Sequence, residues 1–397
     1  MSSTECNKVK VTIDNPQAQP ARKGQHRMSK RIIASVAGLA AASLLVAACS
    51  SSSTSTESSA APAEASAAAS AAPAAAGKAC VILPDSQSSD RWENQDRPAI
   101  ESALAEAGFE SDIQNAQGDT NQYLTIGDQM LAGGCGVMIL VDLNGSGATV
   151  AEKAKAQGIP VIAYDRPFAP ADYYVSFDNV KVGQLQGEGL IKCLTDNGVD
   201  LAAAQIVFLN GSPTDGNAAM FKEGYQTTLE AAGIKPVKDE SVPDWDNQQG
   251  GVIYEQMFTD LGGKIDGVLA ANDGLGGAAI AVNDKNGLTI PVTGQDATLS
   301  GLQNVLLGKQ CMSVFKNTAL EAADASALAI ALLNGESPAA PATVDVGGVS
   351  VPAVYSTPVI IYAANVQEVL DAGTAGFTAA ELCVDDVAAV CEELGIG

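Results

Sequence analysis

Residues 135–166 read CGVMILVDLNGSGATVAEKAKAQGIPVIAYDR. The pattern predicts a short buried strand over residues 137–141, a helix over residues 148–157 that ends at Gly158, and a second strand over residues 159–164. Continuous apolar strands separated by a helix are typical of parallel sheets that are covered on both faces. We therefore predict an α/β fold built on doubly wound parallel sheets.

The same pattern occurs a second time. Residues 136–142 (GVMILVD) resemble residues 267–273 (GVLAAND), and each stretch is followed by a helix, a glycine, a strand and a second aspartate. Asp142 and Asp165 are 23 residues apart, as are Asp273 and Asp296. Two units of equal length predict two similar lobes that face each other. Chance similarity within an α/β chain is the alternative.

Further apolar and helical patterns extend this alternation on both sides. Strands are predicted over residues 80–84, 206–209, 265–270, 290–293 and 312–315, and helices over residues 97–107, 218–232 and 277–284. About 320 residues of such alternation suit two lobes with two separate cores.

Six of the apolar runs end in a compact polar cluster. The clusters are residues 85–92, 164–166, 212–217, 272–273, 295–296 and 315–316. Ligands in open α/β sheets bind just beyond the carboxyl ends of the strands, so these side chains are expected to converge on one cleft. Carboxylates, amides, Arg, Lys and Trp suit a neutral sugar, because hydroxyls need donors and acceptors and the C–H faces need a flat apolar partner.

The N-terminal region has the composition of an export signal. From Met28 the chain shows basic Lys30 and Arg31, then 17 apolar residues from 32 to 48, then Val46-Ala47-Ala48-Cys49, which resembles a lipobox. We expect residues 1–48 to be a signal peptide, with Met28 as a candidate translation start, and Cys49 to be lipidated. A permanent membrane helix is the alternative, but 17 residues are at the short edge of a span.

The remaining chain divides by composition and pattern. Residues 49–78 are Ser, Ala, Thr, Pro and Glu for the most part, which predicts a lipidated cysteine followed by a disordered tether. We expect one lobe in residues 79–177 plus about 317–350, a second in residues 178–316 plus about 351–362, and a C-terminal tail in residues 363–397. The expected location is the outer face of the cell membrane.

Charge and histidine content exclude several functional classes. Beyond residue 48 the chain has 15 basic and 44 acidic residues, a formal net charge of −29, which would repel nucleic acid. The single histidine, His26, lies in the predicted signal peptide. A Ser/His/Asp or Cys/His catalytic arrangement and a His-ligated metal are therefore excluded from the mature chain, and we expect no metal and no cofactor.

Six cysteines follow Cys49, namely Cys80, Cys135, Cys193, Cys311, Cys383 and Cys391. An even number in an exported domain suggests disulfides, with 15 possible connectivities. Cys80 and Cys135 open strands that are neighbours in a doubly wound sheet, which favours their pairing. Cys383 and Cys391 are close enough in sequence to pair locally, which would leave Cys193 with Cys311. Buried free thiols are the alternative.

Several short motifs resemble the periplasmic sugar-binding proteins of ABC importers, in particular the xylose-binding branch of the pentose and hexose binders. The resemblance covers about residues 79–362. Its motifs, in order, are Arg91-Trp92 with Asp96-Arg97, residues 163–166 (AYDR), 176–179 (SFDN), 211–217 (GSPTDGN), 272–273 (ND), 294–296 (GQD) and 314–316 (VFK). It implies a type I periplasmic-binding-protein fold, in which two lobes joined by three crossings enclose a sugar and the closed monomer is recognised by a membrane permease.

The resemblance also implies the residues that touch the sugar. It places Arg91, Trp92, Asp165 and Arg166 on the first lobe, and Asn217, Trp245, Asn272, Asp296 and Lys316 on the second. Each has an alternative structural role: Asp165 could cap a turn, Asn217 could cap a helix, and Trp92 could be core packing. The xylose-type pattern has Asn where Gly216 stands and Tyr where Phe315 stands, and these departures could change which sugar fits.

Other functions remain open at this stage. Asp165 and Asp296 could serve as the paired carboxylates of a carbohydrate-active enzyme, although no catalytic motif accompanies them. A binder of glucose, ribose, arabinose or galactose would share these residue types. A sugar sensor that signals to a chemoreceptor or kinase would share the binding and differ only in output. A transcription regulator of the same fold would need an N-terminal DNA-binding motif, and that position holds the predicted signal peptide.

Overall fold

Strands alternate with helices through residues 77–89 and 91–397, the part of the chain that the computed structural model describes. The strands are β1 Lys78–Leu83, β2 Ser111–Asn115, β3 Cys135–Leu140, β4 Val161–Tyr164, β5 Tyr173–Phe177, β6 Ile206–Asn210, β7 Pro236–Ser241, β8 Gly267–Ala270, β9 Ser313–Phe315, β10 Ala342–Val346, β11 Val349–Ser356 and β12 Val359–Ile361. The helices are α1 Arg97–Glu106, α2 Thr120–Ala132, α3 Ser146–Ala156, α4 Asn179–Asp196, α5 Gly216–Ala231, α6 Asn247–Asp260, α7 Asp273–Lys285, α8 Leu299–Leu306, α9 Thr318–Leu333, α10 Gln367–Asp371, α11 Ala379–Leu382 and α12 Val387–Leu394. This architecture confirms the predicted α/β fold class.

The first lobe is built on a seven-stranded sheet with the order β10-β11-β5-β4-β3-β1-β2. All neighbouring pairs are parallel except β10 with β11, which form an antiparallel hairpin. Gly347 and Gly348 make its turn with φ angles of 62° and 85°, a conformation that favours glycine. Two apolar cores cover the two faces of the sheet, as the continuous apolar strands predicted.

The second lobe contains the parallel sheet β7-β6-β8 and the antiparallel pair β9-β12. The strand predicted over residues 290–293 is reduced to one bridge between Val268 and Val292. At the next position the Thr293 hydroxyl, rather than the main chain, bonds to the N–H and the C=O of Ala270, both at 3.0 Å. The Thr293 side chain therefore takes the place of main-chain hydrogen bonds between strands, and the strand predicted over residues 290–293 was too long.

The chain crosses between the lobes at three places: between β5 and α4, between β9 and α9, and between β11 and β12. The third crossing differs from the expected boundary near residue 350. β11 runs to Ser356 and pairs with β5, and its Val351 and Ala353 are buried in a core of the first lobe. Residues 349–356 therefore belong to the first sheet, because their apolar alternation matches the pleat of that sheet and not the second lobe.

The C-terminal tail, residues 363–397, packs against the second lobe. Leu382, Val387 and Cys391 of the tail share an apolar cluster with Leu302 and Val305 of α8. The same cluster includes Ala297, which follows the Gln295-Asp296 motif, and Phe315, which precedes Lys316. The tail thus supports the segments that carry two of the predicted site residues.

Three disulfides join the six cysteines in the pairs that the sequence favoured. They are Cys80–Cys135, Cys193–Cys311 and Cys383–Cys391, with Cα–Cα distances of 5.7, 6.2 and 5.8 Å. The predicted signal peptide, the lipidation site Cys49 and all but the last two residues of the predicted tether lie outside the described residues. Within the described ranges, none of the helices combines the length and the apolar character needed to cross a bilayer.

Candidate functional site

Polar residues at the carboxyl ends of strands from both lobes surround a cavity of about 40 Å³. All nine residues that the sequence analysis proposed line it: Arg91, Trp92, Asp165, Arg166, Asn217, Trp245, Asn272, Asp296 and Lys316. Five further residues complete the lining, namely Ser88, Ser89, Asp215, Phe221 and Gln295. The chain segments after β1, β4, β6, β8 and β9 therefore meet as parallel-sheet topology predicts.

Arg91 is held in place by three carboxylates. Its guanidinium donates to Asp96 at 2.7 and 2.8 Å, to Asp165 at 2.9 Å and to Glu321 at 2.5 Å. It also lies 4.5 Å from the centroid of the Trp92 ring. Burial alone would lower the pKa of Arg91, but the three carboxylates outweigh burial and raise it. The side chain is thus a fixed cation whose orientation is set before any ligand arrives.

Asp165 connects the first lobe to the second. Its backbone has a φ of 61°, and its carbonyl oxygen accepts hydrogen bonds from Tyr174, Ser176 and Asn217. Its carboxylate accepts from the Asn217 amide at 2.9 Å as well as from Arg91. Burial would raise the pKa of Asp165, but Arg91, Lys316 and Arg166 have the larger combined effect and lower it. Asp165 is therefore an ionised acceptor at neutral pH.

A second connection between the lobes pairs Arg166 with Asp215. The Arg166 Nε atom lies 3.2 Å from Asp215 Oδ2, as an ion pair without the alignment of a hydrogen bond. Asp215 caps α5 and also accepts from the Trp245 indole N–H at 3.0 Å. Burial raises the pKa of Asp215, and Arg166 opposes that shift. Asp215 therefore orients one cation and one aromatic side chain of the cavity.

Lys316 and Asp296 form an ion pair in the wall of the second lobe, with 3.0 Å between Nζ and Oδ1. The Lys316 Nζ atom also lies 5.7 and 5.5 Å from the Phe177 and Phe221 ring centroids. Burial would lower the pKa of Lys316, but Asp296 and Asp165 outweigh it and raise that pKa. Lys316 is thus a charged donor in an enclosed setting, where charge-assisted hydrogen bonds are strong.

The loop that carries Asp296 is anchored from beneath by Asp273. Asp296 has a φ of 93°, outside the range that side chains prefer. The Asp273 carboxylate accepts from the Thr298 N–H at 2.8 Å, from Gln310 at 2.7 Å and from Ser313 at 2.8 Å. Burial, together with Asp296, raises the pKa of Asp273 to about 7. These bonds hold the strained backbone that points Asp296 into the cavity.

Trp245 forms an aromatic wall because the opposite position has no side chain. A Cβ at Gly211 would lie 2.0 Å from the indole ring, so glycine is required there. Trp245 itself has a φ of 56°, and its ring meets Phe221 edge-on with 6.5 Å between centroids. Asn272 caps α7 through the Leu275 N–H at 2.9 Å and also lines the cavity.

Asn217 and Trp92 each had an alternative structural role, as a helix cap and as core packing. The cap of α5 is Asp215, not Asn217, whose amide bonds across the lobes to Asp165. Trp92 is only 2% exposed and belongs to an apolar core, so the packing alternative describes most of its surface. Its ring nonetheless lies within 6 Å of both the Arg91 and Arg166 guanidinium groups, and cations are attracted to such a ring face.

Sequence reasoning missed three buried carboxylates that organise the site: Asp96, Asp215 and Glu321. Asp96 and Asp215 lay inside quoted motifs, and Asp215 is two residues from Asn217. Glu321 lies in α9, a helix with a strongly apolar sequence, TALEAADASALAIALL, and it is fully buried. An acidic residue in such a helix is a signal that could have been followed. Among the described residues, no three His, Cys, Asp or Glu side chains are grouped so as to hold a metal ion.

Residues 80–337 match the family model described as a periplasmic binding protein domain. The chain is also 32% identical over 293 residues to the D-xylose-binding periplasmic protein of Escherichia coli K12, a match that covers 72% of this chain and 86% of that protein. This chain belongs to the periplasmic sugar-binding protein family. A multiple sugar-binding periplasmic receptor of Rhizobium radiobacter is a more distant member, 28% identical over 75% of this chain and 90% of its own length.

Solved structures of the family show the same type I periplasmic-binding-protein fold. A solute-binding protein from Clostridium phytofermentans with bound β-D-glucose has a TM-score of 0.70 at 29% identity, covering 77% of this chain and 99% of that one. A carbohydrate transporter solute-binding protein from Chloroflexus aurantiacus in complex with D-glucose has a TM-score of 0.69 at 27% identity, covering 76% and 97%.

Proposed function

We propose that this protein captures a monosaccharide, D-xylose, between its two lobes and delivers it to the permease of an ABC transporter. One observation carries the proposal: nine polar and aromatic residues from both lobes line one small cavity, and two contacts in its lining, Asp165–Asn217 and Arg166–Asp215, join the lobes. Carboxylates accept from sugar hydroxyls, cations donate to hydroxyl and ring oxygens, and amides do both. The aromatic walls, Trp245 and Phe221, suit the C–H faces of a sugar ring.

The proposed mechanism is closure of the lobes around the sugar. Asp165–Asn217 and Arg166–Asp215 connect the two walls in the closed state, and the Thr214 hydroxyl adds a bond to Asn144 at 2.7 Å at the rim. A sugar that bonds to both walls favours the closed form over the open one and so shifts the population. Because closure excludes water, a sugar that lacks a hydroxyl leaves protein groups unpaired, and this produces specificity.

D-xylose is favoured over other sugars by the similarity to the E. coli protein named for D-xylose. D-glucose is the second candidate, because the two structures described above hold glucose. Gly216 bears on this choice, since a Cβ there would lie 3.0 Å from the Pro167 ring and would narrow the neighbouring space. Phe315 has less influence, because it packs in the apolar cluster with the tail.

The test is calorimetric titration of the full-length protein with D-xylose, D-glucose, D-ribose, L-arabinose and D-galactose under identical conditions. The proposal predicts heat of binding for D-xylose at the lowest concentration, with the other four weaker. Tighter binding of D-glucose would keep the site and change the substrate. Absence of binding for all five sugars would contradict the proposed function, and conversion of any sugar to a product would support an enzyme instead.

We also propose that the protein is tethered to the outer face of the membrane through a lipid on Cys49. The lipobox-like sequence that ends at Cys49 and the Ser/Ala/Pro-rich segment after it support this arrangement. Replacing Cys49 by Ser should move the protein from the membrane fraction to the soluble extracytoplasmic fraction. Retention in the membrane would contradict the anchor. A protein that serves sugar sensing would share all of these features. Its deletion would then abolish the sugar signal and leave sugar uptake intact.

A further inference from the structure

A second cavity, of about 230 Å³, adjoins the cavity between the lobes. Four residues line both spaces: Ser89, Arg91, Asp296 and Lys316. The Lys316–Asp296 ion pair and the Arg91 guanidinium are therefore shared between the two. The larger space therefore borders the proposed monosaccharide site and is not a separate feature of the surface.

The walls of this second cavity come from three parts of the chain. Asn94, Gln95 and Thr318 belong to the first lobe, Thr298 and Leu299 to the second, and the tail contributes Ala375, Gly376, Phe377 and Glu381. The tail lies beyond residues 80–337, which match the family model.

Hydrogen bonds hold the tail against both lobes at this point. The Gln95 amide donates to the Ala375 carbonyl at 2.9 Å and accepts from the Thr318 hydroxyl at 2.7 Å. Thr374 donates to Asn317 at 3.0 Å, beside the crossing into α9. Beneath these contacts, the Cys383–Cys391 disulfide and the apolar cluster with α8 fix the rest of the tail. The tail is therefore fixed on the second lobe, and Gln95 joins it to the first lobe in the closed state.

The chemistry of the cavity suits a neutral sugar ring. Asn94 has an exposed amide, Thr298 and Ser89 supply hydroxyls, and Phe377 offers a partly buried aromatic ring. Two carboxylates, Asp296 and Glu381, line the cavity together with two cations, Arg91 and Lys316, so neither charge sign dominates; Glu381 also accepts from Thr378 as a helix cap. A pyranose needs this combination of donors, acceptors and one flat apolar surface.

We propose that the tail forms a second subsite that holds a second pyranose ring, so that the protein binds a neutral disaccharide in addition to the monosaccharide. The proposal rests on the proposed function, because the first ring occupies the inner cavity between the lobes. The substrate class is a linked pair of neutral pyranoses whose first ring is the sugar that the inner cavity accepts. Asn94 and Phe377 are the residues that distinguish this ligand from the free monosaccharide.

A third cavity, of about 590 Å³, adjoins the inner one on another side and shares Ser88, Arg166, Asp215 and Trp245 with it. Four of the carboxylates that line it, on Asp85, Asp142, Asp215 and Asp246, already accept backbone N–H groups in turns and helix caps. They have less capacity left for a sugar. We therefore assign the second ring to the tail side, and the third cavity supplies the control variant.

The experiment is calorimetric titration of the full-length protein with D-xylose, methyl β-D-xyloside and β-1,4-xylobiose. The xyloside carries a substituent too small to reach the tail, so it separates the effect of a blocked anomeric oxygen from that of a second ring. Xylobiose is expected to bind at least about tenfold more tightly than the xyloside. Asn94→Trp, which fills the second cavity from an exposed position, should abolish that advantage and leave D-xylose affinity within about twofold of wild type.

Phe377→Ala should likewise reduce the affinity advantage of xylobiose over the xyloside. Far-UV and near-UV circular dichroism would check that the tail remains folded in this variant. Gln248→Ala, in the third cavity, should change neither affinity. The subsite is wrong if D-xylose binds while xylobiose does not, if Asn94→Trp leaves xylobiose binding intact, or if Gln248→Ala is the variant that weakens it. Failure of all three sugars to bind would overturn the assignment of D-xylose together with the subsite.

Discussion

The two walls of the cleft are positioned by different means. In the first wall, Arg91, Trp92, Asp165 and Arg166 are organised by charge, since one buried guanidinium is bonded to three carboxylates. In the second wall, Asn217, Trp245, Asn272, Asp296 and Lys316 depend more on the backbone: Trp245 and Asp296 have positive φ angles, where the first wall has only Asp165, and Asn272 caps a helix. Substitutions in the first wall should therefore affect folding and binding together, whereas those in the second wall should affect binding more selectively.

Arg91→Ala is expected to have the largest effect. It leaves Asp96, Asp165 and Glu321 without their common cation in a buried setting, and breaking a buried ion pair from one side costs about 3–5 kcal/mol. The free energy of unfolding, measured by urea denaturation, should fall by about that amount. Lys316→Ala is the matched control in the second wall, since it leaves the single partner Asp296 and should cost less. An equal loss in both variants would contradict the difference between the walls.

Two carboxylates on Arg91 should respond oppositely to pH. The folded state lowers the pKa of Asp165 below its ordinary value of 3.8, so the stability that Asp165 contributes is present above about pH 4 and is lost as the pH falls through the lowered pKa. Burial, opposed by Arg91, raises the pKa of Glu321 above 4.5, so its contribution is present below that pH and is lost as the pH rises. Unfolding free energies from pH 3 to 8 would measure both.

With rising pH, Asp165→Asn should therefore lose stability relative to wild type, and Glu321→Gln should gain it. Both substitutions keep the size of the side chain, so packing changes little. Parallel pH profiles for the two variants would contradict the opposite roles assigned to these carboxylates.

Arg166→Ala and Asp296→Ala, one from each wall, should each weaken sugar binding at least about tenfold, equivalent to ~1.4 kcal/mol for a lost charged hydrogen bond. Calorimetric titration with the preferred sugar would measure the dissociation constants. Asp244→Ala, on the neighbouring loop, serves as the control and should stay near wild type. Wild-type affinity in both Arg166→Ala and Asp296→Ala would place the sugar elsewhere.

Thr214→Ala should have the smallest effect of the series. It removes the rim hydrogen bond between Thr214 and Asn144, which is exposed to solvent, and such a bond contributes about 0.5–1 kcal/mol, the low end of the usual range. Affinity should fall no more than a few fold, and it should fall through faster release of sugar, because the bond forms only on closure. Stopped-flow fluorescence of Trp245 would separate the two rates. Slower association with unchanged release would contradict a role in the closed state.

The sequence allowed the fold class, the convergence of strand ends and the cysteine pairing to be predicted, because these follow from local patterns. The apolar runs at β1, β3 and β4 are continuous, and the polar residues after them are conspicuous. The strand β2 was not predicted because its sequence, SDIQN, is polar and it lies at the sheet edge. The place of β11 was missed because pairing between residues 179 positions apart, such as Tyr174 and Ala353, leaves no local trace.

The site was predictable to the level of its lining residues but not its internal bonding. All nine proposed residues line one cavity, yet the partners of Arg91 include Glu321, which is 230 residues away in sequence. Asn217 lines the cavity, but its bonding partner could not be predicted from the sequence. Asp215 provides the helix cap, which leaves the Asn217 amide to bond to Asp165. The pairs Arg91–Glu321 and Asp165–Asn217 form only because the chain crosses between the lobes and brings distant residues together.

A crystal structure of the protein with D-xylose tests the central claim most directly. We predict a single sugar ring between the lobes, within hydrogen-bond distance of Arg91, Asp165 or Arg166 on one wall and of Asn217, Asp296 or Lys316 on the other, with Trp245 against a ring face. A sugar bonded to one wall alone, or bound outside the cavity, would contradict capture by closure.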